Sequence, residues 1–260
     1  MRSLPEFLII GAQKCGTTSL YSNLCEHPKI GPAFEKEVRY FNNHYEKGLN
    51  WYKAHFPLVV TKKMVGWKDG IDLVSGEGEP SYLPNPVVPQ RVFDLIPNVK
   101  LIVMLRNPVD RAYSHFQHRS RRGREHNSFE QVVAADKEQL RSGWNNLPTA
   151  DNKRLGNLHY SYLPRGIYVD QIRSWMKIFP KNQFLIIRAE DFFSNSQVIY
   201  DEVLDFLGLP GYRLGQSERQ NVGTYTDRMS DELRQDLANY FQPHNTRLYD
   251  YLARDFFWDQ

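Results

Sequence analysis

Cysteine is scarce in this 260-residue sequence: only Cys15 and Cys25 occur, one predicted in a loop and the other near the end of the helix that follows. That usage excludes a disulfide framework and fits a reducing compartment. Long apolar runs are missing as well. No stretch approaches the roughly 18–20 residues of a membrane span, and Met1-Arg2-Ser3 leads straight into a strand-like segment without a signal-peptide pattern. A cytoplasmic chain without membrane contact is expected. Charge of one sign is not in excess either. The formal net charge of +3 is too small for wholesale nucleic-acid binding, yet it allows a local basic patch for a small phosphate-bearing anion. Neither an internal repeat nor a low-complexity linker occurs, so residues 1–260 are expected to form a single domain.

What is present is ordinary globular material. Apolar residues make up 41% and charged residues 24%, and the 15 Phe, 15 Tyr and 5 Trp promise a dense core. Phe7-Leu8-Ile9-Ile10, Leu101-Ile102-Val103-Met104-Leu105 and Phe184-Leu185-Ile186-Ile187 are short continuous apolar runs, the pattern of strands buried on both faces. Each precedes a helical stretch: Thr17 to Glu26, about Val109 to Arg122, and Gln197–Leu207. Helical spacing also marks Ser128–Arg141, Tyr168–Phe179 and a long Ser230–Leu252 region expected to break near Pro243. Strand–helix alternation of this kind predicts an α/β chain with a parallel sheet covered on both faces. Trp144 to Pro164 is polar and weakly periodic and reads as a long loop or an insertion.

Gly11-Ala12-Gln13-Lys14-Cys15-Gly16-Thr17-Thr18 falls where the first strand turns into a helix, so its N–H groups and the helix N-terminus can converge on an anion. The Gly-x-x-x-x-Gly spacing matches a nucleotide-binding phosphate loop. Position 17, however, is Thr where an NTP-hydrolysing loop carries Lys, and the lysine stands at position 14 instead. A tight turn without ligand remains the plain alternative.

Lys14-Cys15-Gly16-Thr17-Thr18-Ser19-Leu20 resembles the K-x-G-T-[TS] loop of sulfotransferases that use 3′-phosphoadenosine 5′-phosphosulfate (PAPS), and the wider similarity is to the heparan sulfate N- and 3-O-sulfotransferase branch in a compact bacterial form. The resemblance implies a P-loop-like three-layer sandwich with a central parallel sheet flanked by helices. It also implies PAPS as sulfuryl donor, PAP as product and no metal. Lys14, Cys15, Gly16, Thr17, Thr18 and Ser19 would hold the phosphosulfate, with Lys14 stabilising charge on the bridging oxygen. Leu105-Arg106-Asn107-Pro108 followed by Ser114 resembles the 3′-phosphate motif, which gives Arg106 and Ser114 that role. Arg219 to Tyr225 resembles the loop closing over the adenosine, giving Gly223, Thr224 and Tyr225 as contacts, although a basic tripeptide is replaced by Val222-Gly223-Thr224.

On the acceptor side, Lys36-Glu37-Val38-Arg39-Tyr40-Phe41 resembles the segment whose glutamate serves as general base, which assigns that role to Glu37. A solvated charge cluster is the other reading. Trp51 and Tyr52 either stack on an acceptor or belong to the core. Glu77-Gly78-Glu79-Pro80-Ser81-Tyr82 stands where the heparan-type enzymes have Glu-Lys-Thr-Pro-x-Tyr, so Gly78 replaces an active-site lysine. His118 follows a pattern similar to N-sulfotransferases and is a second acid/base candidate; His115, three residues earlier, has no third ligand with which to bind a metal. Arg119, Arg121, Arg122 and Arg124 attract an anion or form a solvated face.

Together these features predict sulfuryl transfer to a hydroxyl or amine of a small-molecule or carbohydrate acceptor, without nucleic-acid or membrane partners. A P-loop kinase or NTPase and a non-catalytic nucleotide-binding module are the competing readings.

Overall fold

The computed structural model describes residues 2–67, 69–141, 161–215 and 228–258. Five parallel strands, β1 (Phe7–Gly11), β2 (Ile30–Pro32), β3 (Val74–Gly78), β4 (Lys100–Leu105) and β5 (Phe184–Arg188), form one sheet in the order β2-β3-β1-β4-β5. The helices are α1 (Thr17–Cys25), α2 (Tyr40–Asn43), α3 (Gly48–Lys53), α4 (Val59–Gly66), α5 (Val88–Leu95), α6 (Pro108–Ser120), α7 (Phe129–Arg141), α8 (Tyr168–Met176), α9 (Ala189–Ser194), α10 (Ser196–Leu207) and α11 (Asp231–Leu252). They and the strands group into two compact units, one of residues 1–105 with 175–221 and one of residues 106–174 with 222–260.

The first unit carries the sheet. Phe7 to Ile10 and Leu101 to Leu105 are fully buried because β1 and β4 are interior strands with helices against the sheet, which explains why they read as unbroken apolar runs. The three strands expected from the sequence are β1, β4 and β5, adjacent in that order. β2 and β3 escape the hydrophobic pattern. β3 is Val-Ser-Gly-Glu-Gly, yet four of its five residues are buried. A side chain at Gly76 would lie 2.5 Å from the Phe7 carbonyl, so only glycine lets β3 approach β1 this closely. Glu77 is accepted inside because its carboxyl is fully hydrogen-bonded, as described below.

The second unit is helical. Its core is Val109, Ala112, Phe116, Phe129, Val132, Val133, Tyr162, Leu163, Leu237 and Phe241. Asn107 caps α6, its side chain accepting from Val109 N at 2.9 Å, and Pro108 occupies the first helical position, where no N–H is needed. α7 begins with reciprocal bonds between Ser128 and Gln131, a capping box. α11 runs unbroken through Pro243, against the break expected there. The expected loop at 144–164 lies, up to residue 160, outside the described residues.

Candidate active site

The phosphate-type loop sits at the carboxyl edge of the sheet, between β1 and α1. Lys14 (φ +69°) and Gly16 (φ +89°) both take the left-handed conformation, with Cys15 between them on the ordinary side. Such alternation curls successive N–H groups toward one point and forms an anion-binding nest. Gly16 is the N-cap of α1 without a side-chain cap, which leaves the first N–H groups of the helix facing the loop. A Cβ at Gly16 would also meet Phe193 Cε1 at 2.9 Å. Two constraints, φ and space, therefore fix glycine at this position. Ala12 N donates to Met104 O at 2.7 Å and ties the loop to the neighbouring strand β4. Thr17 is buried, Ser19 half-buried and Thr18 exposed.

Glu37 lies at the same edge of the sheet, in the loop between β2 and α2, beside the carboxyl end of β3. Its Oε2 accepts from the Arg39 guanidinium at 2.6 Å and its Oε1 faces Lys36 Nζ at 3.4 Å. Burial pushes the Glu37 carboxyl up, but the Lys36 charge and the Arg39 hydrogen bond outweigh it and hold the group below the usual carboxylate range. Behind it, Glu77 is fully buried. It accepts from Tyr52 Oη at 2.7 Å, Tyr82 Oη at 3.1 Å and Val38 N at 3.1 Å, and burial pushes its pKa up to about 8 against those donors. Glu79 accepts from Arg39 Nε at 3.1 Å and from Ser81. Burial and the nearby Glu37 charge push Glu79 up as well.

In the second unit, Arg106 directly precedes the Asn107 cap and is half-buried, and its carbonyl accepts from Tyr168 Oη at 2.8 Å. Ser114 is buried two turns into α6. Asn107, the middle residue of this motif, is engaged by the helix cap and by the Trp258 carbonyl at 3.4 Å.

Residues 4–229 match the family model described as "Sulfotransferase domain". The chain belongs to this sulfotransferase family. It is 28% identical over 98% of its length to the membrane-associated sulfotransferase kil1 of Dictyostelium discoideum. Over 94% of its length it is 31% identical to the bifunctional heparan sulfate N-deacetylase/N-sulfotransferase 3 of Homo sapiens. The chain spans 66% of the first relative and 29% of the second. Among solved structures, a sulfotransferase from Alicyclobacillus acidocaldarius aligns with a TM-score of 0.74 at 27% identity, covering 99% of this chain and 100% of that one.

Six of the named positions, Lys14 to Ser19, run consecutively from the loop into the first turn of α1, and Glu37 stands on the same edge of the sheet. Gly223, Thr224 and Tyr225 lie outside the described residues, as does Arg219. His118 is half-buried on the last turns of α6. His115 is buried, and burial together with Arg165, Arg111, Arg119 and His118 holds it well below its ordinary range, so it stays neutral. Tyr52 belongs to the core, its hydroxyl committed to Glu77, while Trp51 is half-buried against Tyr40, His44 and His55. Arg121, Arg122 and Arg124 are exposed. Among the described residues no group of three or more His, Cys, Asp or Glu is placed to hold a metal ion, and no helix is long and apolar enough to cross a membrane.

Sequence reasoning passed over Arg39 and Glu79, which frame Glu37. The available signal was the pair Glu77 and Glu79 two positions apart, a spacing that puts both acidic groups on one face of an extended segment; that they meet the charged run at 35–39 was not legible. A cavity of about 410 Å³ at the opposite edge of the sheet, lined by Glu6, Val74, Ile96, Lys100 and Leu207 among others, plays no part in this site. Its charged groups are already used: Glu6 pairs with Lys62, and Lys100 donates to the Phe206 carbonyl.

Proposed function

We propose that this sulfotransferase uses PAPS and transfers its sulfuryl group by in-line displacement to a hydroxyl or amine of a small-molecule or carbohydrate acceptor, with residues 1–260 acting as a single domain. The observation that carries the reading is the left-handed pair Lys14 and Gly16, which shapes the loop ahead of α1 into an anion cradle whose own sequence includes a lysine. The residue chemistry fits a phosphosulfate: the loop and the uncapped start of α1 offer N–H donors, and Thr17, Thr18 and Ser19 add hydroxyls.

PAPS supplies an activated sulfuryl group on a phosphate that leaves readily. The protein's own part is binding, charge and proton handling. Lys14 and the loop N–H groups offset negative charge as it gathers on the bridging oxygen. Arg106 would offer its guanidinium to the 3′-phosphate and Ser114 a neutral donor. Glu37, held ionised at neutral pH by Lys36 and Arg39, accepts the proton of the attacking hydroxyl or amine. His118 is the second acid/base candidate, and Gly223, Thr224 and Tyr225 are proposed to cover the adenosine. The heparan sulfate enzymes among the relatives support a carbohydrate acceptor, and the kil1 relative, named as a sulfotransferase, supports sulfuryl transfer. A cytoplasmic location is part of the same proposal and rests on the sequence's sparing use of cysteine, two in 260 residues.

Calorimetric titration with PAP, beside ATP with Mg²⁺, tests the reading. Tight PAP binding lost in Lys14→Ala and Arg106→Ala is the expected result. Preference for Mg²⁺-ATP would return the loop to the kinase class. PAP binding untouched by Glu37→Gln, with no turnover on any acceptor, would make the chain a nucleotide-binding module.

A further inference from the structure

The carboxyl end of β3 grips the 36–39 loop at three successive residues. Gly78 N donates to the Lys36 carbonyl at 3.0 Å, and Lys36 Nζ returns a bond to the Gly78 carbonyl at 3.1 Å. Glu77 Oε2 receives Val38 N at 3.1 Å. Glu79 Oε2 receives Arg39 Nε at 3.1 Å. The same guanidinium then reaches Glu37 Oε2 at 2.6 Å, so Arg39 joins a carboxylate 3% exposed to one 34% exposed. The inner carboxylate is the fixed end of this chain. Its second oxygen, Oε1, accepts from both Ser81 N at 2.9 Å and Ser81 Oγ, which leaves it no freedom to turn.

Arg39 is the N-cap residue of α2 at φ +57°, and its carbonyl accepts from Asn43 N at 2.9 Å, so its backbone is fixed by the helix start while its side chain turns back to the end of β3. The geometry is that of a rigid fork aimed from a buried anchor at a half-exposed carboxylate.

We propose that Arg39 and Glu79 are positioning residues for sulfuryl transfer: Glu79, clamped by Ser81, holds the Arg39 guanidinium, and Arg39 orients the Glu37 carboxylate toward the acceptor. This rests on the reading of Glu37 as the general base. The charged groups facing Glu37 are Lys36 and Arg39 from its own loop and Glu79 from the end of β3, with Glu77 behind Glu79. With Arg39 removed, burial and the Glu79 charge act on Glu37 against Lys36 alone, and its titration moves to higher pH. Glu79→Gln removes the anchor, so Glu37 keeps its partner but loses the fixed approach of the fork.

The test is carbon-13 NMR titration of the glutamate carboxyls in the full chain, with Glu37 assigned from Glu37→Gln, in wild type, Arg39→Ala, Arg39→Lys and Glu79→Gln. The expected result is a Glu37 titration moved to higher pH in Arg39→Ala and partially restored in Arg39→Lys; in Glu79→Gln the lost negative charge alone would move it to lower pH, so a move to higher pH marks the lost anchor and a move to lower pH removes Glu79 from the proposal. Thermal melts of Arg39→Lys and Glu79→Gln verify that these variants are folded. A Glu37 titration unchanged in both Arg39→Ala and Glu79→Gln overturns the proposal, and a shift in Arg39→Ala alone removes Glu79 from it. Titration with PAP separates this outcome from that of the broader reading. Wild type and Arg39→Ala are expected to bind PAP alike, and failure of PAP to bind either one sinks the PAPS assignment while leaving the Glu37–Arg39–Glu79 coupling as measured.

Discussion

Val38 N donates to Glu77 Oε2 at 3.1 Å, so a carboxyl buried near the carboxyl end of β3 supports the loop that presents Glu37. Burial raises the Glu77 pKa to about 8 from an ordinary 4.5. Between those values the folded protein holds a proton that the unfolded chain releases. The stabilisation linked to that proton is complete below the unfolded value and is lost as pH rises through the folded one. Urea unfolding is therefore expected to show stability declining from about pH 5 to about pH 8, and Glu77→Gln is expected to flatten that decline. A slope unchanged in Glu77→Gln would mean that another group carries it.

Gly16→Ala faces two obstacles at once, φ +89° and Phe193 Cε1 at 2.9 Å. A loss of about 1–3 kcal/mol in stability is expected from the backbone alone. Adding Phe193→Ala to Gly16→Ala opens the space but leaves the backbone strain. Chemical denaturation of the two singles and the double then separates the steric part from the conformational part.

Lys14 also lies at positive φ, so Lys14→Ala mixes backbone strain with loss of charge, whereas Lys14→Gly removes the charge and suits the backbone. Lys14→Gly is expected to be at least as stable as wild type by thermal melt while losing PAP affinity. Equal PAP affinity in wild type and Lys14→Gly would remove the lysine from the cofactor site.

The Arg106-Asn107-Pro108 motif divides its labour by position. Asn107→Ala removes the α6 cap and is expected to cost about 1 kcal/mol with PAP affinity little changed. Arg106→Ala is expected to weaken PAP about 10- to 100-fold, the worth of a charged hydrogen bond. Denaturant midpoints and calorimetry on the two variants decide between cap and ligand for each residue.

The sequence by itself determined the sheet's interior and the loop upon it. β1 and β4 are legible because burial on both faces demands apolar runs, β5 because it carries the same run although only Ile187 of it is buried at the sheet edge, and the Lys14–Ser19 segment because strand, glycine and hydroxyls fall at fixed spacing. Glu37 was legible only through resemblance. Tertiary structure alone decided the rest. β3 is buried without apolar side chains, since Gly76 packs on the Phe7 backbone and Glu77 finds donors from Tyr52, Val38 and Tyr82, which lie 25 and 39 residues before it and 5 after. Whether the charged run at 35–39 is a solvated face or a supported base depends on Glu79, 40 residues beyond Arg39. Local pattern records which residues need burial. It does not record which distant partner satisfies a buried polar group, and that pairing is what turns the Glu37 loop into a candidate catalytic element.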